Sequence, residues 1–403
     1  MKTALTNCQL IDARGAAAIP EATVLIEQDR IVAAGPRGAV PVPADAQLLD
    51  LAGRTVLPGL IDAHLHLTWF YYRPDVVVGG MPTYNDARIA MVGVWHMQQL
   101  LNTGITAVRD VGSHNRIALD LKWALGEGLV KGPRIWAAGR LICPTGGHGS
   151  ENPGLGLEFN GVDGARAAVR EEIKAGADFI KIAILKEEWT LDELCAAVDQ
   201  AHRMDRRVAC HVNYPPSITN ALKAGVDSVE HGCLVTDEEL VRMAEQGTFL
   251  VVTPLIYHKQ FETFKAMVAD PKTPAKLMAW ARDQVRRHEW IWDNMPKAIL
   301  RGAELGVKIV VASDQLYPEV GIQALPLDMA MLVELGLPPM QVIQAATLRA
   351  AECIGCEKDL GTIEPGKLAD LIAVEGDPLK DMSAMQSVAL VIKDGKVEKN
   401  TLK

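Results

Sequence analysis

Apolar and polar positions divide the chain into three parts. Its two ends share one pattern. Near the start, "TALTNCQLID", "ATVLIEQDRIVAAG" and "AQLLDLAGRTVLPG" are short runs rich in β-formers, punctuated by Gly, Asp and Pro. Near the end, "KLADLIAVEGDP" and "VALVIKDGKVEK" repeat it, and Asp394-Gly395 inside the second is a two-residue hairpin signal. The middle reads differently. Short apolar runs ("GLIDAHLHL", "TAVRDV", "RIWAAG", "DFIKIA", "RVACHV", "DSVEH", "TFLVVT" and "VKIVVASD") alternate with stretches of helical period such as "DGARAAVREEIKAGA" and "TLDELCAAVDQAHR". Near-continuous apolar strands separated by helices predict a parallel sheet covered on both faces. Eight such strands over this length predict an α/β chain closed into a (β/α)8 TIM barrel. The span from Tyr257 to Gly302, rich in Trp, Lys and Arg, exceeds one helix and predicts a helical insertion between the seventh and eighth strands. The expected organisation is a barrel over residues 58–355 and a small β-sandwich domain built from both termini, 1–57 and 356–403.

Composition narrows the picture. The 403 residues are 49% hydrophobic, enough for a large core. The net charge of -9, with no long run of like charges, argues against nucleic acid or an anionic membrane as partner. The first residues, "MKTALTNCQLIDARG", lack the long apolar region of a secretory signal, and no apolar run is long enough to predict a membrane span. Seven cysteines, odd in number and loosely spaced, do not form a disulfide framework and suggest a reducing compartment. Cys353 and Cys356 form a C-x-x-C, but within an apolar helical stretch that reads as core. A cytoplasmic protein acting on a small molecule is expected, with room for a homo-oligomer through outer helices.

The apolar strands carry polar residues that a core does not need. His64 and His66 stand one residue apart, so they face the same side of the first strand. Lys181 lies in the fourth strand, His211 ends the fifth, His231 the sixth and Asp314 the eighth. In a (β/α)8 barrel the C-terminal ends of the strands are where chemistry is built. Burying such groups singly costs several kcal/mol unless they are paired or bound to metal. Imidazole and carboxylate are ordinary ligands for zinc and neighbouring divalent ions. A buried lysine with a lowered pKa can react as a free amine, and with carbon dioxide would give a carbamate able to bridge two ions.

This set resembles the amidohydrolase superfamily: His-x-His on strand one, Lys on four, His on five and six, Asp on eight. "TVLPGLIDAHLHL" and "LGTIEPGKLADLIAV" are typical of its members. "CPTGGHG" and "ALKAGVDSVEHG" are similar to the branch of Xaa-Pro dipeptidases, metallo-carboxypeptidases and imidazolonepropionase-like proteins. The resemblance implies a divalent metal centre, zinc first, with two ions or one. His64 and His66 would bind the more buried ion and His211 and His231 the second. A carboxylated Lys181 would bridge them, and Asp314 would bind one ion and handle protons. It further implies attack of a metal-activated hydroxide on an amide bond, first of a dipeptide or N-acyl amino acid. The alternatives are a cyclic amide, urea, carbamate or aryl amide, or a non-hydrolytic lyase or isomerase reaction. A metal-bearing binding protein without turnover is a third class. "KIAILKEEWT" and "HVNYPPS" depart from that branch where strands four and five meet the substrate.

Around this centre, His148 in "PTGGHGS" is the candidate for polarising the carbonyl and binding substrate. Tyr214 and Tyr257 are candidate substrate contacts. Trp69, Phe70, Tyr71 and Tyr72 are a candidate apolar wall, and Arg140 a candidate cation for a substrate carboxylate. His96, His114, His202 and His288 are given no role.

Overall fold

The computed structural model describes residues 2–68, 77–78, 81–82, 85–152, 154–315 and 321–402. The Trp69–Tyr72 cluster lies outside the described residues.

All eight expected middle strands form: β1 (Leu60–Leu65), β2 (Ile105–Asp110), β3 (Arg134–Ala137), β4 (Ile180–Ala183), β5 (Val208–Val212), β6 (Ser228–His231), β7 (Phe249–Val252) and β8 (Ile309–Val311). β1, β2 and β3 pair in parallel, as do β4 through β8 in succession. After a break at Ala138 the third strand resumes as Leu141–Pro144, which pairs with β4 and with a further strand, Gly156–Phe159. Single backbone bonds stitch the remaining seams: Asp178 N–H to Ala137 C=O (2.9 Å) and Asp314 N–H to His64 C=O (2.8 Å). The result is a TIM-barrel-like α/β architecture.

Alternation along these strands sorts residues between two apolar cores. On β7, Leu250 and Val252 join the large cluster under the helices, while Phe249 and Val251 join the barrel interior. On β8 the same split separates Ile309 and Val311 from Val310 and Ala312.

The two termini meet in one eight-stranded sheet. Thr55–Pro58 runs between Leu371–Val374 on one side and Lys2–Leu10 on the other. Lys2–Leu10 pairs antiparallel with Ile19–Glu27 and parallel with Gln47–Asp50, so the sheet wraps a core of its own, including Leu5, Leu10, Val24, Val56, Leu371 and Ile392. Asp394-Gly395 makes the expected two-residue turn, with φ of 50° and 70° and Lys393 opposite Lys396.

The insertion between β7 and β8 is a helical hairpin, α1 (Pro254–Ala269) and α2 (Ala275–Glu304). Pro254 at the first turn of α1 costs no helical hydrogen bond. In α2, His288, Ile291, Met295 and Ile299 are buried at helical spacing. Among the described residues no helix is long and apolar enough to cross a membrane. All seven cysteines are free; Cys353 and Cys356 are buried in the apolar cluster beneath the barrel interior.

Candidate metal centre

In β1 a register shift aims the histidines. Asp62 pairs with Val108 and Leu65 with Asp110, so β1 spends three residues where β2 spends two. This bulge reverses the alternation. Ile61 and Ala63 face the barrel interior below it, and Leu65 and Leu67 face the helices above it. His64 and His66, alternating with Leu65 and Leu67, therefore point inward. The Asp62 carboxylate supports the kink by accepting from His64 N–H (3.2 Å), Ser313 N–H (3.1 Å) and Ser313 Oγ (2.5 Å).

A second irregularity places His231. Consecutive strand residues should face opposite sides. Glu230 and His231 both face inward because His231 adopts a left-handed backbone, with φ of 69°. Asp314 is likewise left-handed, with φ of 38°. Such conformations cost of order 1–3 kcal/mol and collect at functional sites.

The groups converge. Nε2 of His64 and of His66 each lie 3.8 Å from the nearer Asp314 oxygen, and Nε2 of His231 lies 3.9 Å from the other. His231 Nε2 is also 3.0 Å from His211 Nδ1. Ligand atoms of His64, His231 and Asp314 all fall within 4.8 Å of one another. The opposite ring nitrogens are anchored. Nδ1 of His66 donates to Gly112 C=O (2.7 Å), Nδ1 of His64 meets Glu230 (2.6 Å), and Nδ1 of His231 meets Thr253 Oγ1 (2.8 Å). Such partners fix the tautomer that leaves Nε2 for a ligand.

Charge in this pocket is set by burial. Desolvation holds the imidazoles of His64, His211 and His231 well below their usual pKa and brings His66 down to about 4. All four are thus neutral, the form a metal requires. Burial also pushes Asp314 up to about 7 and Lys181 down to about 8. Lys181 Nζ is fully enclosed and has no hydrogen-bond partner among the described residues. A buried amine left unpaired amid converging neutral imidazoles and one carboxylate is a donor set that fits a divalent cation.

Beneath it lies a charged network that sequence reasoning passed over. Arg109 on β2 donates to both oxygens of Glu230 (2.7 and 2.9 Å) and to Ala63 C=O (2.5 Å), and Ser228 Oγ donates to Glu230 (2.5 Å). Asp110 accepts from Leu67 N–H (2.7 Å) and Gly112 N–H (3.2 Å), fixing the loop that holds His66. The signal was the one that exposed the histidines: ionisable residues inside the apolar runs "TAVRDV" and "DSVEH".

The centre opens into a cavity of about 260 Å³. His64, His66, Lys181, His211 and Asp314 line its inner end; His148, Asn213 and Tyr257 line its walls, with Gln260, Gln284, Arg287 and His288 from the hairpin. His148 comes in on the loop after Leu141–Pro144, its ring 4.7 Å from His211 and its Nδ1 held by Glu151 (2.8 Å). Tyr257 Oη accepts from Asn213 Nδ2 (2.9 Å), and burial keeps its pKa well above the usual phenol value. Three expectations need correcting. Tyr214 is not among the lining residues; its hydroxyl accepts from Arg287 Nε, which stands in front of it. Arg140 is turned away to Glu171 and Glu172 and lines no part of the cavity. His288, given no role from sequence, is on the wall, because helical spacing places it on the same face as Gln284 and Arg287.

The chain is similar to known proteins along most of its length. Ochratoxinase of Aspergillus niger is 28% identical over 384 residues, 85% of this chain and 75% of that protein. Imidazolonepropionase of Symbiobacterium thermophilum is 24% identical over 95% of this chain and 91% of its own. The crystal structure of a Xaa-Pro dipeptidase with methionine in its active site superposes with a TM-score of 0.86, at 31% identity, over 98% of this chain and 99% of that one. The model of the amidohydrolase family matches residues 55–397, which include all eight barrel strands and every candidate ligand described above. By that match the chain, whose strand ends carry an inward-facing set of candidate metal ligands, belongs to the amidohydrolase family and is a metal-dependent hydrolase of carbon–nitrogen bonds.

Proposed function

We propose that this enzyme hydrolyses the amide bond of a dipeptide or N-acyl amino acid. The observation that carries the reading is the enclosed, partnerless Lys181 amine among four neutral imidazoles and Asp314 at the end of a small cavity. That cavity lies just below the roughly 300–1,000 Å³ of sites for drug-sized ligands, which suits a small substrate. The relatedness to a Xaa-Pro dipeptidase supports the same substrate class.

His64, His66, His211, His231 and Asp314 would hold one or two divalent ions, zinc first. Lys181 would join them as a carbamate, formed from its free amine and carbon dioxide with loss of a proton. Bound there, such an ion lowers the pKa of water from 15.7 towards about 7 and polarises a carbonyl. Asp314 takes the proton of the attacking water and returns it to the leaving nitrogen. Burial raises its carboxyl to about 7 in the metal-free site, and a bound cation would favour the carboxylate form that accepts the water's proton. His148, anchored through Nδ1, has Nε2 left for the carbonyl oxygen, whose charge grows as the tetrahedral centre forms. Tyr257 and Asn213, bonded to each other, give the substrate a rigid polar wall.

The test is a panel of dipeptides, N-acyl amino acids, lactams, ureas, carbamates and aryl amides offered to zinc- or manganese-loaded protein. Turnover of the first two classes, lost on chelation and restored by metal, is expected. Turnover confined to ureas or carbamates would move the substrate assignment, and turnover of none would end it.

A further inference from the structure

We infer that Arg287 is the carboxylate anchor of this cavity, so that the substrate is selected for a free carboxylate as well as for its amide bond. The inference rests on the amide-hydrolysing reading and adds the residue that sets specificity.

Arg287 reaches the cavity from α2, on the face it shares with Gln284 and His288. Among the described lining residues the only lysine or arginine side chains are Lys181 and Arg287, and the only carboxylate is Asp314. Lys181 and Asp314 both belong to the metal end. Arg287 is left without a carboxylate partner among the described residues. Its neighbour Arg286 is paired with Asp283 at 3.0 Å, and Arg140 is held by two glutamates.

Tyr214 explains how an unpaired guanidinium is held still. Its hydroxyl accepts from Arg287 Nε, and the guanidinium carbon sits 5.2 Å from its ring centre. Tyr214 in turn stacks on Trp290 from the same helix, centroids 6.3 Å apart. With Nε engaged and the plane fixed, both terminal nitrogens remain for a substrate. Two parallel N–H donors in that geometry match a carboxylate and nothing neutral so well. Tyr257 spans the distance to the reacting end, its ring 5.7 Å from His231 and 6.5 Å from His288 beside Arg287. Arg287 and the metal end line the same cavity of about 260 Å³, so one small substrate lies against both. A lactam, urea or neutral carbamate would leave the guanidinium without a carboxylate partner, and a site built to bond a group rejects analogues that lack it.

The test compares an N-acetyl amino acid with its carboxamide on zinc-loaded enzyme, for wild type, Arg287→Met and Arg287→Lys, with folding checked by circular dichroism. Arg287→Met should lower the ratio of kcat/KM for carboxylate over carboxamide about ten- to a hundredfold, mainly through KM, and Arg287→Lys should recover part of it. An equal loss on both substrates, or no change in the ratio, would overturn the anchor. Calorimetric titration with the same two compounds reads binding without turnover. Carboxylate-selective binding that Arg287→Met removes supports the anchor even if nothing is hydrolysed, an outcome that would instead overturn the hydrolytic reading. Binding with no preference overturns the anchor alone.

Discussion

His64, His66, Lys181, His211 and His231 stand on strands whose backbones are tied to their neighbours, and Asp314 is tied to His64 by its own N–H. Gln260, Gln284, Arg287 and His288 reach the same cavity from a two-helix hairpin. At the strand end, a slip of one residue would turn every ligand away from the site. On the hairpin, Gln284, Arg287 and His288 follow from the period of α2, and one tyrosine packs against Arg287. The first arrangement suits chemistry that tolerates little displacement. The second suits selectivity, which can change with a few helical residues while the metal ligands stay in place.

That contrast can be broken most sharply at the strand end. Asp314→Asn should lower kcat about 10²–10⁴-fold as the proton carrier is lost. If kcat/KM falls only through KM, Asp314 is a binding group and the division fails. Next comes the support beneath. Arg109→Met leaves Glu230 buried without its partner and should cost about 3–5 kcal/mol of stability, read by urea denaturation. His148→Ala should reduce kcat about 10²–10³-fold with metal content retained in elemental analysis, and unchanged turnover would remove it from the reaction. Thr253→Val removes the partner of His231 Nδ1 and should weaken metal affinity about 10–100-fold by competition with a chelator. The smallest effect belongs to the hairpin side. Tyr214→Phe removes one hydrogen bond to Arg287 and should raise KM for a carboxylate substrate by about tenfold or less, with metal content untouched. Loss of metal in that variant would show that the two ends are not separate.

Much of this was legible without coordinates. The eight apolar runs became eight strands in the expected places, because strands buried on both faces leave near-continuous apolar sequence. The residues that converge at the strand ends were legible for the complementary reason, since ionisable residues in such runs are costly and therefore conspicuous. Arg109 and Glu230 gave the same signal but no spacing to connect them across the barrel. The hairpin was legible only as extra helix. Its cavity face involves residues such as Arg287 and His288 that read as ordinary solvated positions.

The sequence by itself determined the barrel-like architecture and singled out the candidate metal ligands, since periodicity records burial and a polar residue in a buried strand records a purpose. Tertiary structure decided the aim of each group. The bulge between Asp62 and Leu65 turns two histidines inward, the left-handed backbone at His231 brings it beside Glu230, and α2 sets Arg287 rather than Arg140 before the substrate. These are relations between backbones distant in sequence, fixed by pairing and packing, and no local pattern of side chains encodes them.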